Sequence, residues 1–92
     1  MTGLREEMRA FRLRKDEEVK RARQTAAFFL ACGVDLDDAL AARPQEKSLL
    51  RMRIGRLLER ERLRGMRRHW SYDLNRHIAL KQALDRLDEA RG

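Results

Sequence analysis

The chain has 92 residues, of which 42% are apolar and 40% are charged, and it contains one proline and five glycines. This composition is too apolar for a disordered chain and is typical of solvent-exposed helices, so we expect one all-α domain over residues 1–92. A single cysteine excludes a disulfide within the chain and a cysteine metal cage, and the net charge of +7 favours an acidic partner.

Hydropathy and cysteine content favour a cytoplasmic protein. The first residues, 1–7, lack an apolar signal core, and no run approaches the roughly 18 apolar residues that a membrane span needs. A lone cysteine fits a reducing compartment. The 18 arginines against 4 lysines are typical of a GC-rich genome, which favours a bacterial source.

The first predicted element is an amphipathic helix over residues 3–32. Apolar side chains recur at steps of three and four, which places them on one helical face, called here the apolar stripe. Its members are Leu4, Met8, Phe11, Val19, Ala22, Ala26 and Phe29. Lys15 and Glu18 interrupt the stripe. Gly33 predicts the end of the helix, because glycine takes the left-handed conformation of a C-cap without steric penalty.

A short acidic helix is predicted next, over residues 36–43. Asp35 is a suitable N-cap, with Asp38 three residues further on. Pro44 ends the helix, because the residue before a proline is pushed out of the helical conformation.

Residues 45–90 contain no proline, and the sequence leaves open whether they form one helix or two. Several apolar side chains before residue 71 share one face, and the pattern continues in phase after it. These side chains are Met52, Leu63, Met66 and Trp70. Against one helix, Gly65 costs about 1 kcal/mol inside a helix, and Ser71 is a good N-cap for a separate helix. We favour one continuous or kinked helix over residues 45–90.

This helix has a second apolar face, about 130° to 200° from the first, formed by Leu50, Ile54, Leu57 and Leu58. Two faces call for two partners, so these four residues and Trp70 are predicted as a partner interface. The predicted architecture is a long helical hairpin with a short middle helix, completed as a symmetric homodimer. The alternative is a monomeric three-helix bundle in which the chain folds back near residues 65–71.

Residues 51–68 carry eight arginines and two glutamates, so eight charges less two leave +6 of the chain's +7. Six of these arginines follow three- and four-residue steps and are called here the arginine ridge: Arg53, Arg56, Arg60, Arg64, Arg67 and Arg68. Such a ridge can bind phosphates and release their counterions. We therefore expect an accessory or regulatory protein that binds an acidic macromolecule, with DNA or RNA favoured. The alternative is a solvated face that is partly neutralised by Glu59 and Glu61.

Residues 67–77 gather both histidines, the single Trp and the single Tyr. Aromatic side chains beside arginines are common in interface hot spots, which favours Trp70 as an anchor for a protein partner. The alternative function is therefore a protein–protein adaptor that docks through the double-faced helix and Trp70. A purely structural interpretation places Trp70 and Leu74 in the core.

No residue pattern indicates catalysis, a metal or a cofactor. Ser48 and Ser71 have no base and acid in a recognisable arrangement, and there is no glycine-rich phosphate loop. His69 and His77 share a helical face but lie about 12 Å apart along it, too far for one metal ion. Cys32 is expected in the core. We expect a non-enzymatic protein without a cofactor.

The run from Leu49 to Arg62 resembles the arginine-rich helices of chorismate mutases. The resemblance implies a remote alternative, an enzyme whose arginines clamp a dicarboxylate in a small helical bundle. It covers this run alone, and the family's overall pattern of helices is not found in the chain.

Overall fold

The computed structural model describes residues 3–89, of which 86% lie in four helices and none in a strand. The helices are α1 (Gly3–Cys32), α2 (Leu36–Ala41), α3 (Pro44–Met66) and α4 (Leu74–Glu89). The predicted all-α fold is confirmed. Within residues 3–89 no helix combines the length and apolar character needed to cross a bilayer.

The ends of α1 and α2 follow from the residues that predicted them. Gly33 has a φ of 74° and donates its N–H to the Phe29 carbonyl at 2.7 Å, which closes α1. Asp35 caps α2 by accepting the Asp38 N–H at 3.1 Å. The short helix ends at Ala41 rather than at residue 43. Pro44 is the first residue of α3, a position where its missing N–H costs nothing.

The favoured single or kinked helix over residues 45–90 is wrong, because α3 ends at Met66 and α4 begins at Leu74. The chain folds back between them, close to the alternative that placed this bend near residues 65–71. The continuous apolar face therefore does not exist as one surface: Met52, Met66 and Trp70 are all exposed.

Backbone hydrogen bonds explain where α3 stops. Arg68 has a φ of 52° and donates its N–H to the Gly65 carbonyl, and His69 donates to the Arg64 carbonyl at 2.9 Å. This pair of bonds is a Schellman motif, with an arginine in the left-handed position that glycine usually takes. Asp73, and not Ser71, caps α4: its carboxylate accepts N–H groups from the first turn of that helix.

The core lies where α4 packs against the other three helices. Its buried side chains are Phe28, Cys32, Leu36, Ala39, Ile54, Leu80, Ala83 and Leu87. The predicted interface formed by Leu50, Ile54, Leu57 and Leu58 is wrong, because Ile54 is fully buried in this core and the three leucines pack against it. The second face of α3 thus finds its partners inside the chain.

The first two thirds of α1 stand outside this core. From Gly3 to Arg23 every residue is exposed except the half-buried Ala10. The buried residues of α1, Phe28 and Cys32, come only near its C-terminal end. The apolar stripe therefore remains largely uncovered along the helix.

Candidate functional site

The arginine ridge is built on α3. At 100° per residue, its four members within the helix fall within about 80° of one another, and Arg67 continues the same face as the C-cap. Arg68 follows in the left-handed conformation that ends the helix. The ridge is thus one face of a single helix, extended by the turn that closes it.

Two ridge residues are used by the fold. The Arg53 guanidinium donates to the Cys32 carbonyl at 2.8 Å, which places a cation at the negative C-terminal end of α1. Arg64 pairs with Glu61, with 3.1 Å between Nη1 and Oε1. Each of these two guanidinium groups thus has an acceptor within the fold.

The other four ridge residues remain available. Arg56, Arg60, Arg67 and Arg68 are exposed, and within residues 3–89 no carboxylate oxygen lies within 4.0 Å of their guanidinium groups. We call these four the free arginines. They are half of the eight arginines of residues 51–68.

The two glutamates of this stretch are satisfied by other arginines. The Arg62 guanidinium donates two hydrogen bonds, of 2.6 and 2.9 Å, to the Glu59 carboxylate, and these bonds hold the pKa of Glu59 below its usual value. Arg51 pairs with Asp88 on α4 at 3.2 Å. The pair between Glu61 and Arg64 was expected of a partly neutralised face, whereas the free arginines have no carboxylate within 4.0 Å in the part of the chain described.

Glu61 is a site residue that the sequence pattern did not reveal. It is 1% exposed, and its carboxylate accepts the Asp73 N–H at 3.0 Å and the Arg76 guanidinium at 2.9 Å, besides that of Arg64. These bonds tie α3 to the bend and to α4. The i,i+3 spacing from Glu61 to Arg64 indicated a pair, but nothing local indicated its burial.

The bend presents Trp70 to solvent. Its side chain is 89% exposed, so the interpretation that Trp70 plugs the core is wrong. The His69 ring stacks on it, with centroids 5.5 Å apart and planes 30° apart. The Ser71 N–H donates to His69 Nδ1 at 3.1 Å, which orients the imidazole. An aromatic pair thus stands directly after Arg67 and Arg68.

The inner side of the bend is packed. A Cβ at Gly65 would lie 3.0 Å from the Tyr72 ring, so the glycine allows this ring to sit against α3. The Tyr72 hydroxyl lies 3.1 Å from His77 Nδ1, which places His77 in a hydrogen-bonded, structural position. Arg67, Arg68 and Trp70 are therefore carried on a packed turn, while Arg56 and Arg60 lie on α3.

Other candidate residues have structural positions. Cys32 lies in the core as expected; burial raises the pKa of its thiol, which donates to the Phe28 carbonyl at 3.3 Å. Across residues 3–89 no group of three or more His, Cys, Asp or Glu side chains is placed to hold a metal ion.

Two surface grooves run along α1, one against α4 and one against the start of α2. Neither groove is lined by a ridge arginine. Comparison with known protein families, curated proteins and solved structures gave no match to this chain.

Proposed function

We propose that this protein binds nucleic acid through the free arginines, Arg56, Arg60, Arg67 and Arg68. The observation that carries this proposal is the division of the eight arginines of residues 51–68. Four have partners in the fold, and four face solvent without a carboxylate among the described residues. Unpaired, exposed guanidinium groups on one face are suited to phosphate groups, whose counterions they displace.

Trp70 supports nucleic acid over a purely acidic protein surface. It is 89% exposed and follows two free arginines in the chain, so a base can stack on it while neighbouring phosphates pair with the guanidinium groups. Stacking of a base on an aromatic ring contributes about 1 to 3 kcal/mol without demanding a particular sequence. We therefore propose binding that depends on charge and stacking rather than on base sequence.

Fluorescence anisotropy with labelled single- and double-stranded oligonucleotides tests this proposal. If all four free arginines contact phosphates, log K falls against log salt with a slope of about −3.6 for duplex and about −2.8 for single strands. Binding to a single strand also changes the emission of the chain's one Trp, Trp70. No binding at low salt contradicts the proposal.

Charge reversal at one free arginine locates the surface. We expect Arg60→Glu to weaken binding roughly tenfold and to make the salt slope shallower by about 1, because one phosphate contact is lost. The matched control is Arg9→Glu, the same charge change at an exposed position of α1. Equal losses in the two variants would show that net charge alone, and not the ridge, governs binding.

A second candidate function is docking of an acidic protein surface. It is favoured by the exposure of Trp70 and of two apolar neighbours in the chain, Met66 and Leu74. Such a cluster is suited to an interface anchor with a charged rim. This candidate predicts a partner complex that tolerates moderate salt and is lost in Trp70→Ala, in a protein that binds neither oligonucleotide.

A further inference from the structure

The apolar stripe of α1 has no cover in the chain. Its large side chains Leu4, Met8, Phe11, Val19 and Phe29 are between 47% and 67% exposed. The face through which α1 meets α2 and α4 lies roughly 150° around the helix from the stripe. An isolated helical segment is marginal in water, and an amphipathic one is stabilised by covering its apolar face.

We propose that this stripe pairs with the same stripe of a second copy of the chain, as an antiparallel pair of α1 helices. The two-fold axis passes between residues 16 and 17. In this register, residues whose numbers sum to 33 lie level with one another. The pairing is isologous, which is the usual form of a symmetric dimer interface.

The charges within the stripe determine this orientation. Lys15 and Glu18 interrupt the stripe and lie 3.9 Å apart on exposed side chains. In the antiparallel register Lys15 of each copy is level with Glu18 of the other, so two opposite-charge pairs form across the axis. A parallel pair would instead place Lys15 against Lys15 and Glu18 against Glu18, which is unfavourable.

Two pairs of apolar side chains meet in this register. Phe11 of one copy is level with Ala22 of the other, a large side chain against a small one, which allows the helices to approach closely there. Leu4 is level with Phe29 at each end, where two large side chains meet.

A groove is already present where the second copy's N-terminal turn would lie. It has a volume of about 720 Å³, with Ala22, Ala26 and Phe29 on α1 and Asp35 and Asp37 at the start of α2 among its lining residues. Within residues 3–89 no cation lies within 4.0 Å of either aspartate carboxylate. Arg21 and Arg86 also line the groove, so it offers space for the incoming turn but no net negative charge.

The size of the contact is that of a weak, reversible dimer. From Leu4 to Phe29 the paired helices extend over about 38 Å, and with a width of about 10 Å the contact covers about 380 Å² on each copy, or about 760 Å² in total. This area lies below that of permanent interfaces and in the range of transient ones. Arg14 and Arg21 of the two copies approach each other on one side, a like-charge contact that opposes the pairing.

Light scattering and sedimentation equilibrium test the pairing through a matched pair of variants. Phe11 and Leu13 are 54% and 59% exposed on the same helix, about 200° apart, and neither belongs to the core. We expect wild type and Leu13→Glu to be dimers with equal helix content by circular dichroism, and Phe11→Glu to be a monomer that keeps the folded core. A monomeric wild type at tens of micromolar, or a dimeric Phe11→Glu, overturns the proposal.

Charge reversal tests the orientation. Lys15→Glu and Glu18→Lys each place two like-charge pairs across the antiparallel axis, so each should dimerise roughly tenfold more weakly than wild type. Mixing the two variants should restore wild-type affinity in a heterodimer, although both lack the pair within the helix. In a parallel dimer the single variants would match wild type, which overturns the proposed orientation. This inference does not rest on nucleic-acid binding, and the mass measurements need no oligonucleotide.

Discussion

Glu61 shows how a single side chain fixes the relation of two helices. Its carboxylate is fully buried between α3 and α4 and accepts hydrogen bonds from the Asp73 backbone and from the Arg64 and Arg76 side chains. Among the residues described, every buried side-chain oxygen and nitrogen has a hydrogen-bond partner. Replacing this carboxylate by an amide would therefore leave at least one of these donors facing an N–H group.

We expect Glu61→Gln to lower the free energy of unfolding by about 2 kcal/mol at neutral pH, because an amide cannot replace the charge-assisted bonds of a buried carboxylate. Urea denaturation followed by far-UV circular dichroism measures the change. Glu59→Gln is the matched control: Glu59 also binds an arginine, but its side chain is exposed, so a much smaller loss is expected. Equal losses would contradict a special role for Glu61.

The same carboxylate makes stability depend on pH. Burial alone raises the pKa of Glu61, but the hydrogen bonds from Asp73, Arg76 and Arg64 outweigh it, so the pKa lies below the ordinary value of 4.5. Because the pKa of Glu61 is lower in the folded than in the unfolded state, its ionised carboxylate stabilises the fold at every pH above the unfolded-state pKa. This stabilisation is lost as the pH falls through the folded-state pKa. The stability gap between wild type and Glu61→Gln should therefore shrink at acidic pH.

Arg68 combines an unfavourable backbone conformation with an exposed charge. An arginine in the left-handed region is disfavoured relative to glycine, so Arg68→Gly should raise stability by about 1 kcal/mol. The same change removes a free arginine and should weaken oligonucleotide binding. Thermal unfolding measures the change in stability, and fluorescence anisotropy measures the change in oligonucleotide affinity. Higher stability with unchanged affinity would remove Arg68 from the proposed surface.

At the scale of helices, local signals predicted one half of the fold and not the other. Gly33 and Asp35 define the ends of α1 and α2 within a residue or two, because caps act through the backbone beside them. The bend after α3 was not predicted, because Arg68 occupies a glycine position and Glu61 secures the bend from twelve residues before Asp73. Likewise, Arg53 could not be separated from the free arginines, since its acceptor belongs to α1.

Two glycines within α3 give a prediction for this helix. Replacing a mid-helix glycine by alanine stabilises by about 1 kcal/mol where the new Cβ has room. Gly55 has open space around that position, whereas at Gly65 the Cβ would lie 3.0 Å from the Tyr72 ring. We expect Gly55→Ala to raise the free energy of unfolding by about 1 kcal/mol, and Gly65→Ala to give no such increase. Urea denaturation measures the stability of both variants. An equal increase in the two would show that the Tyr72 ring moves aside at little cost.

For the whole molecule, the separation of surfaces supports two distinct contacts. The free arginines lie on α3 and the bend, while the apolar stripe follows α1, whose C-terminal third contributes to the core. The net charge could be predicted from the composition. The distribution of unpaired charge could not, because it depends on which guanidinium groups form bonds within the fold. A dimer through α1 would carry two sets of free arginines, so polyvalent attachment to a long nucleic acid is an expected property of the pair.

The protruding α1 also affects how this protein elutes in gel filtration. The radius of gyration of the protein is 16.6 Å, against about 12 Å for a compact domain of this length. With extents of 54 × 36 × 21 Å, the particle has more hydrodynamic drag than a sphere of its mass. A single chain will therefore elute early in gel filtration and mimic a heavier species, so its apparent size there reflects its elongation as much as its stoichiometry.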